Sequence, residues 1–99
     1  MASGTTQLDA GLMQAITDRQ ARVAVIGLGY VGLPLAVTAA KAGFAVTGLD
    51  IDATKTTRLD AGTSYIDAVS DADLTAVAGR FAWSTDFARL AKADVIVIC

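Results

Sequence analysis

The sequence has no histidine, one cysteine and one proline, and aromatic residues make up only 6% of it. Without an imidazole, chemistry that relies on histidine as acid or base has no carrier here. The single thiol, Cys99, excludes an internal disulfide framework and a cysteine-rich metal site. No metal site is expected. Charge is also scarce: 18% of residues are charged, the formal net charge is -2 and the sequence pI is about 4.7. A protein that grips a phosphate backbone needs clustered Lys and Arg, so a nucleic-acid partner is not expected. No stretch approaches the roughly 18 apolar residues of a membrane span. The start, MASGTTQLDAGLMQAITDRQ, lacks the basic-then-apolar order of a secretory signal. The expectation is a cytoplasmic protein with no membrane partner.

What is present is apolar. Hydrophobic residues make up 54% of the 99 residues, and the mean hydropathy is +0.51. That exceeds what the surface of so small a domain ordinarily allows and predicts apolar surface waiting to be covered. At this length there is room for one core, so the chain is one small domain or a piece of a larger protein.

Residues 1–6 read as a disordered or cloning-derived lead, because Ser, Gly and Thr supply no apolar period. Leu8, Leu12, Ala15 and Ile16 then fall at helical spacing, so residues 1–20 read as an extension carrying a short amphipathic helix. Arg22 to Ile26 is a β-branched apolar run of the kind that forms a parallel strand covered on both faces. Tyr30 to Ala42 favours helix, with Pro34 tolerable in its first turn and Gly43 at the C-terminal cap. Phe44 to Leu49 is a second strand ending at Asp50, and Asp52 or Thr54 can cap a helix closed by Gly62. Ser70 opens a short capped helix to Gly79. Phe81 to Ser84 is a third strand, Thr85 or Asp86 caps a helix to about Lys92, and Ala93 to Cys99 is a fourth strand.

Strands alternating with helices predict an α/β fold with a doubly wound parallel sheet, in the order 3-2-1-4, which leaves the apolar fourth strand at an edge. Ending on VIVIC, the chain reads as the front part of a longer protein, truncated after the fourth strand.

Gly27, Gly29 and Gly32 form G-x-G-x-x-G. Nine glycines in 99 residues can produce that pattern by chance, and a tight turn in some other α/β protein would also use it. Its context is more specific: a strand before it, a helix after it, and the acidic Asp50 at the end of the next strand, close to the separation of about 20 residues that a dinucleotide fold uses. In that Rossmann-type arrangement Gly27 permits the turn, Gly29 lets the backbone approach a pyrophosphate, and Gly32 lets the helix pack closely. The helix start offers free N–H groups and the positive end of its dipole, which selects the backbone of Tyr30 and Val31 as donors. Asp50 would accept from the adenosine ribose hydroxyls, or else stand as a solvated strand end or helix cap. A carboxylate there repels a 2′-phosphate and Ile51 follows it rather than an arginine, so the expected cofactor is NAD and not NADP. Lys55 can reach a ribose or phosphate, or be an ordinary exposed helical lysine. Asp71, Asp73 and Asp86 read as caps and solvated faces, and Cys99 as a small buried hydrophobe.

With these residues in place, the sequence resembles the UDP-glucose/GDP-mannose dehydrogenase family. VIGLGYVGLPLA, GLDID with Lys55 five residues after Asp50, GTSYID, and STDF ahead of ADVIVIC match in order across residues 21–99, which read as an incomplete NAD-binding domain. The resemblance implies a nucleotide-sugar 6-dehydrogenase that turns a C6 alcohol into a carboxylate by two hydride transfers to two NAD. In such enzymes a cysteine carries the intermediate as thiohemiacetal and thioester, assisted by lysine, asparagine and aspartate. Those residues lie later in family sequences, so no catalytic residue is assigned in this segment, and Cys99 does not stand in the cysteine motif.

UDP-glucose and GDP-mannose enzymes usually carry Pro-Ile and Glu-Pro-Gly after the second helix. This chain has SYIDAVSDADL, and its leading helix is similar to the extension of bacterial enzymes that oxidise UDP-N-acetylhexosamines. The resemblance therefore points to UDP-N-acetylglucosamine or UDP-N-acetylmannosamine as substrate and to surface-polysaccharide precursor synthesis. The implied partners are a nucleotide sugar, held mainly by regions downstream of residue 99, and further copies in a homo-oligomeric parent. A stand-alone NAD-binding module, UDP-glucose 6-dehydrogenase and another NAD-dependent dehydrogenase remain as alternatives.

Overall fold

A computed structural model describes residues 20–99. The lead at 1–6 and the expected helix at 7–19 lie outside the described residues. β1 (Arg22–Ile26), β2 (Ala45–Leu49), β3 (Phe81–Ser84) and β4 (Val95–Ile98) form one sheet in the order β3-β2-β1-β4, and every neighbouring pair is parallel. Between the strands lie α1 (Gly32–Lys41), α2 (Ala53–Asp60), α3 (Asp71–Ala76) and a 3-10 helix at Phe87–Lys92. The doubly wound order predicted from the sequence is the observed one. Parallel pairing demands a crossover between strands, and the helical segments supply it.

The register explains which residues share a face. Val23 pairs with Val46 and Val95, Val46 pairs with Phe81, and Val25 pairs with Gly48. On that face Val25, Val46 and Phe81 join Leu33, Ala36, Val37 and Ala40 of α1, Leu59 of α2 and Leu74 of α3 in one buried cluster. Leu59 is the only buried residue of α2, so that helix hangs on a single apolar anchor. Truncating such a side chain to alanine costs about 2–5 kcal/mol.

Element ends differ from the sequence reading for local reasons. The first helix begins at Gly32 rather than Tyr30, with Val31 as its N-cap. Phe44 does not join β2, because its N–H donates to the Ala39 carbonyl while Gly43, at φ +108°, donates to Ala40. This paired closure of the helix end requires the left-handed backbone glycine accepts at little cost. Gly62, at φ +73°, closes α2 in the same way, donating to Leu59 while Thr63 donates to Arg58. Helix α3 stops at Ala76 instead of Gly79, because the N–H groups of Val77 and Ala78 donate three residues back and tighten the chain into turns. β4 begins at Val95, since the Ala93 N–H donates to Leu90 and closes the 3-10 helix.

Cys99 corrects the reading of a small buried hydrophobe: it is exposed. It follows an edge strand whose Ile96 and Ile98 are 48% and 77% exposed, and no described residue covers that side.

Gly48 marks a close approach across the core face. A Cβ there would lie 2.7 and 2.9 Å from the two methyl carbons of Leu28 and 2.9 Å from Cε1 of Phe81. Overpacking of this kind costs about 1–3 kcal/mol. Gly48→Ala is expected to lower the urea unfolding free energy by that amount, with Leu28→Ala in the same chain recovering part of the loss. Two additive destabilisations would show that the two sites are not in steric conflict.

Candidate functional site

The three glycines lie where β1 ends and α1 begins, and each answers a different demand. Gly27 takes φ +93°, and its N–H donates to the Leu49 carbonyl at 2.8 Å, fastening the turn to β2. Gly32 is buried under the turn: a Cβ on it would sit 1.5 Å from the Gly27 carbonyl oxygen, so the helix can start there only without a side chain. Gly29 meets nothing within 4 Å where its Cβ would be. The protein itself does not crowd that position, and the missing side chain leaves backbone open to an approaching group.

The start of α1 is also the one helical start among the described residues whose donors are left to something else. Asp52 accepts from Thr54 N–H at α2, Ser70 and Asp73 form a reciprocal capping box at α3, and Asp86 accepts from Ala88 N–H at the 3-10 helix. At α1 the N-cap is Val31, which has no capping atom, and the first turn holds no acidic residue. Neither the Tyr30 nor the Val31 N–H has an acceptor among the described residues, and both side chains point outward, 85% and 68% exposed. Pro34, in the first turn, carries no N–H of its own, and its fixed φ suits the start of a helix. Free N–H groups at the positive end of a helix dipole bind anions.

Asp50, at the end of β2, is the one buried charged residue among those described, with 7% exposure. Its Oδ2 accepts from the Leu28 N–H at 2.8 Å and lies 3.4 Å from the Lys55 ammonium, and its Oδ1 accepts from the Asp52 N–H at 2.8 Å. Burial pushes the carboxyl upward, but the Leu28 and Asp52 N–H groups together with the Lys55 charge outweigh it and hold it below the usual range. A carboxylate offers about four acceptor sites. Three are engaged within the protein, which leaves about one for a bound hydroxyl. Lys55 is thus not a free helical lysine: its ammonium lies beside Asp50 as a counter-ion, at the same edge of the sheet as the glycine turn.

The sequence reading did not single out Leu28 and Tyr65. Leu28 is fully buried between the first two glycines of the motif. Its N–H is held by Asp50, and its carbonyl accepts from the Tyr65 hydroxyl at 2.7 Å. A large apolar residue inside a glycine turn, and a lone tyrosine in a polar connection, were the available signals. Burial, then the charges of Asp50 and Asp52, push the Tyr65 phenol up to about 12, so it remains a donor. Asp71, Asp73 and Asp86 serve as expected, in capping and surface pairs: Asp71 accepts from Ser64 N–H, and Asp73 adds a 2.6 Å ion pair to Lys41. Among the described residues no group of His, Cys, Asp or Glu could hold a metal ion, and no helix is long and apolar enough to cross a membrane.

Asp50 makes stability depend on pH. Its folded-state value is lowered, so its contribution is complete above the unfolded value of about 3.9 and is lost as pH falls through the folded one. Wild-type urea midpoints are therefore expected to fall more steeply than those of Asp50→Asn from about pH 5 downward, because Asp52 and Asp73 titrate in both proteins. Parallel profiles would show that the Leu28 and Lys55 contacts do not favour the charged form.

Residues 21–99 match the model of the UDP-glucose/GDP-mannose dehydrogenase family, NAD binding domain. The chain is 42% identical over 45 residues to UDP-N-acetyl-D-mannosamine dehydrogenase of Pyrococcus horikoshii, covering 46% of this chain and 11% of that protein. A solved UDP-D-ManNAc dehydrogenase from the same organism superposes with a TM-score of 0.73 at 33% identity, over 79% of this chain and 19% of the other. A GDP-mannose dehydrogenase from Pseudomonas aeruginosa gives 0.71 at 33% identity, over 79% of this chain and 19% of that one. The chain thus spans about a fifth or less of the length of these relatives. The fold, the glycine turn and the family match agree: the chain belongs to the UDP-glucose/GDP-mannose dehydrogenase family, and its residues 21–99 match that family's NAD-binding domain.

Proposed function

We propose that this chain is the NAD-binding portion of a cytoplasmic nucleotide-sugar 6-dehydrogenase that oxidises the C6 alcohol of a UDP-N-acetylhexosamine to a carboxylate. The observation that carries the reading is the open backbone at Gly29 beside the uncapped start of α1, with Asp50 bonded to the N–H of the neighbouring Leu28. The Gly27–Gly32 turn and the N–H groups of Tyr30 and Val31 would receive the cofactor's pyrophosphate. Asp50 would take a ribose hydroxyl on its remaining acceptor site, with Lys55 moderating its charge. The fit is consistent: a space without a side chain, donors without acceptors, and a carboxylate whose charge disfavours a 2′-phosphate.

When bound, NAD supplies the hydride acceptor. Converting an alcohol to a carboxylate removes two hydrides and consumes one water, so two NAD are needed for each sugar. This segment binds and orients, and the groups that touch the sugar are proposed to lie downstream. The N-acetylhexosamine branch is supported by SYIDAVSDADL after α2 and by the relatives that act on UDP-N-acetyl-D-mannosamine. The neighbour named for GDP-mannose has a comparable TM-score, so the sugar is decided by assay.

The complete enzyme given NAD and, separately, UDP-N-acetylglucosamine, UDP-N-acetylmannosamine or UDP-glucose is expected to form two NADH per sugar with one N-acetylated substrate. Turnover of UDP-glucose alone would move it to the other branch, and none with any of the three would remove the substrate assignment. NAD is expected to bind at least about tenfold more tightly than NADP, since repulsion worth about 1.4 kcal/mol suffices for that ratio. Equal affinities would remove Asp50 from the ribose site.

A further inference from the structure

The connection between α2 and α3 holds Tyr65 more firmly than a surface loop requires. Ser64 N–H donates to Asp71 Oδ1 at 2.7 Å, the Ser64 carbonyl accepts from Arg58 Nη2 at 3.0 Å, and Ile66 and Val69 are buried in the core beside it. The Tyr65 ring packs against the same core, and its hydroxyl reaches back to the Leu28 carbonyl at 2.7 Å. Tyr65 is thus fixed on both sides along the chain, and its one side-chain polar atom is spent on the glycine turn.

We propose that Tyr65 is a positioning residue for the dinucleotide: by holding the Leu28 carbonyl it fixes the direction of the Gly29 N–H. This rests on the reading of the turn as the pyrophosphate site. The Leu28 carbonyl and the Gly29 N–H belong to one planar trans peptide and point in opposite directions. With the carbonyl drawn toward Tyr65, the N–H is turned away from Tyr65, on the residue whose missing side chain leaves the space open. It has no acceptor among the described residues. Asp50 pins the preceding peptide through the Leu28 N–H, so the two peptides around Leu28 are each held by one side chain. Glycine has the widest backbone freedom of any residue, and an unheld Gly29 would have to be ordered by the ligand itself. Tyr65 makes that ordering part of folding rather than of binding.

Tyr65→Phe removes the donor and keeps the ring. It is expected to weaken NAD binding about 3- to 10-fold, the range of a single hydrogen bond, while adenosine, which has the ribose hydroxyls but no phosphate, loses less than about twofold. Amide exchange of Gly29 and Tyr30 in the ligand-free protein should accelerate while that of the β1 and β2 amides stays the same. Equal losses for NAD and adenosine, or faster exchange throughout the sheet, would mean a merely structural tyrosine and overturn the proposal. Unchanged NAD affinity in Y65F, with the wild type binding NAD, would overturn it alone. A wild-type protein that does not bind NAD would overturn the pyrophosphate reading and the positioning role with it.

Discussion

Leu28 is held in three directions at once. Its N–H is bound to the Asp50 carboxylate, its carbonyl to the Tyr65 hydroxyl, and its side chain is fully buried against the bare backbone of Gly48. Two of the holds, Gly48 and Asp50, come from the end of β2, and the third from the connection after α2. The turn between β1 and α1 cannot shift without disturbing all of them. An unmet buried donor or acceptor costs about 1–3 kcal/mol, so each polar hold is costly to break alone. The depressed Asp50 carboxyl follows from the same geometry, since an N–H aimed at a buried carboxylate favours its charged form.

Around this fixed turn the helix starts divide into two kinds. Asp52, Ser70 with Asp73, and Asp86 satisfy the donors of their own helices, and those ends are closed to outside ligands. The start of α1 has Val31 at its cap and glycine on both sides of Tyr30–Val31, so its donors remain available. The difference is chemical and local: a hydroxyl or carboxylate at the cap consumes the N–H groups, and an alkyl side chain cannot. In a member of an NAD-binding domain family, the helix end without a cap is the one that follows the glycine turn.

Much of this was legible from local pattern. The strands at Arg22–Ile26 and Phe81–Ser84 coincide with their apolar runs, the caps at Asp52, Ser70 and Asp86 stand where polar residues precede helical segments, and Gly43 and Gly62 close their helices. The glycine turn and Asp50 were legible as a pair because strand, turn, helix and second strand bring them to the same edge of a parallel sheet. Element ends were less so. Phe44 is apolar and β-prone, yet a capping hydrogen bond to Ala39 claims its N–H, and no periodicity registers that competition.

The order of strands and helices, the capped helix ends and the family were legible in the chain alone, because these depend on residues near one another in the sequence or on its apolar period. Packing in three dimensions is what buries and engages Asp50, sets Lys55 beside it as counter-ion, lets Gly48 make room for Leu28 and brings Tyr65 to the glycine turn. Those contacts join residues 5 to 37 positions apart, and their partners are chosen by sheet register and by the path of the α2–α3 connection. Composition and spacing carry no term for such distances, and packing does.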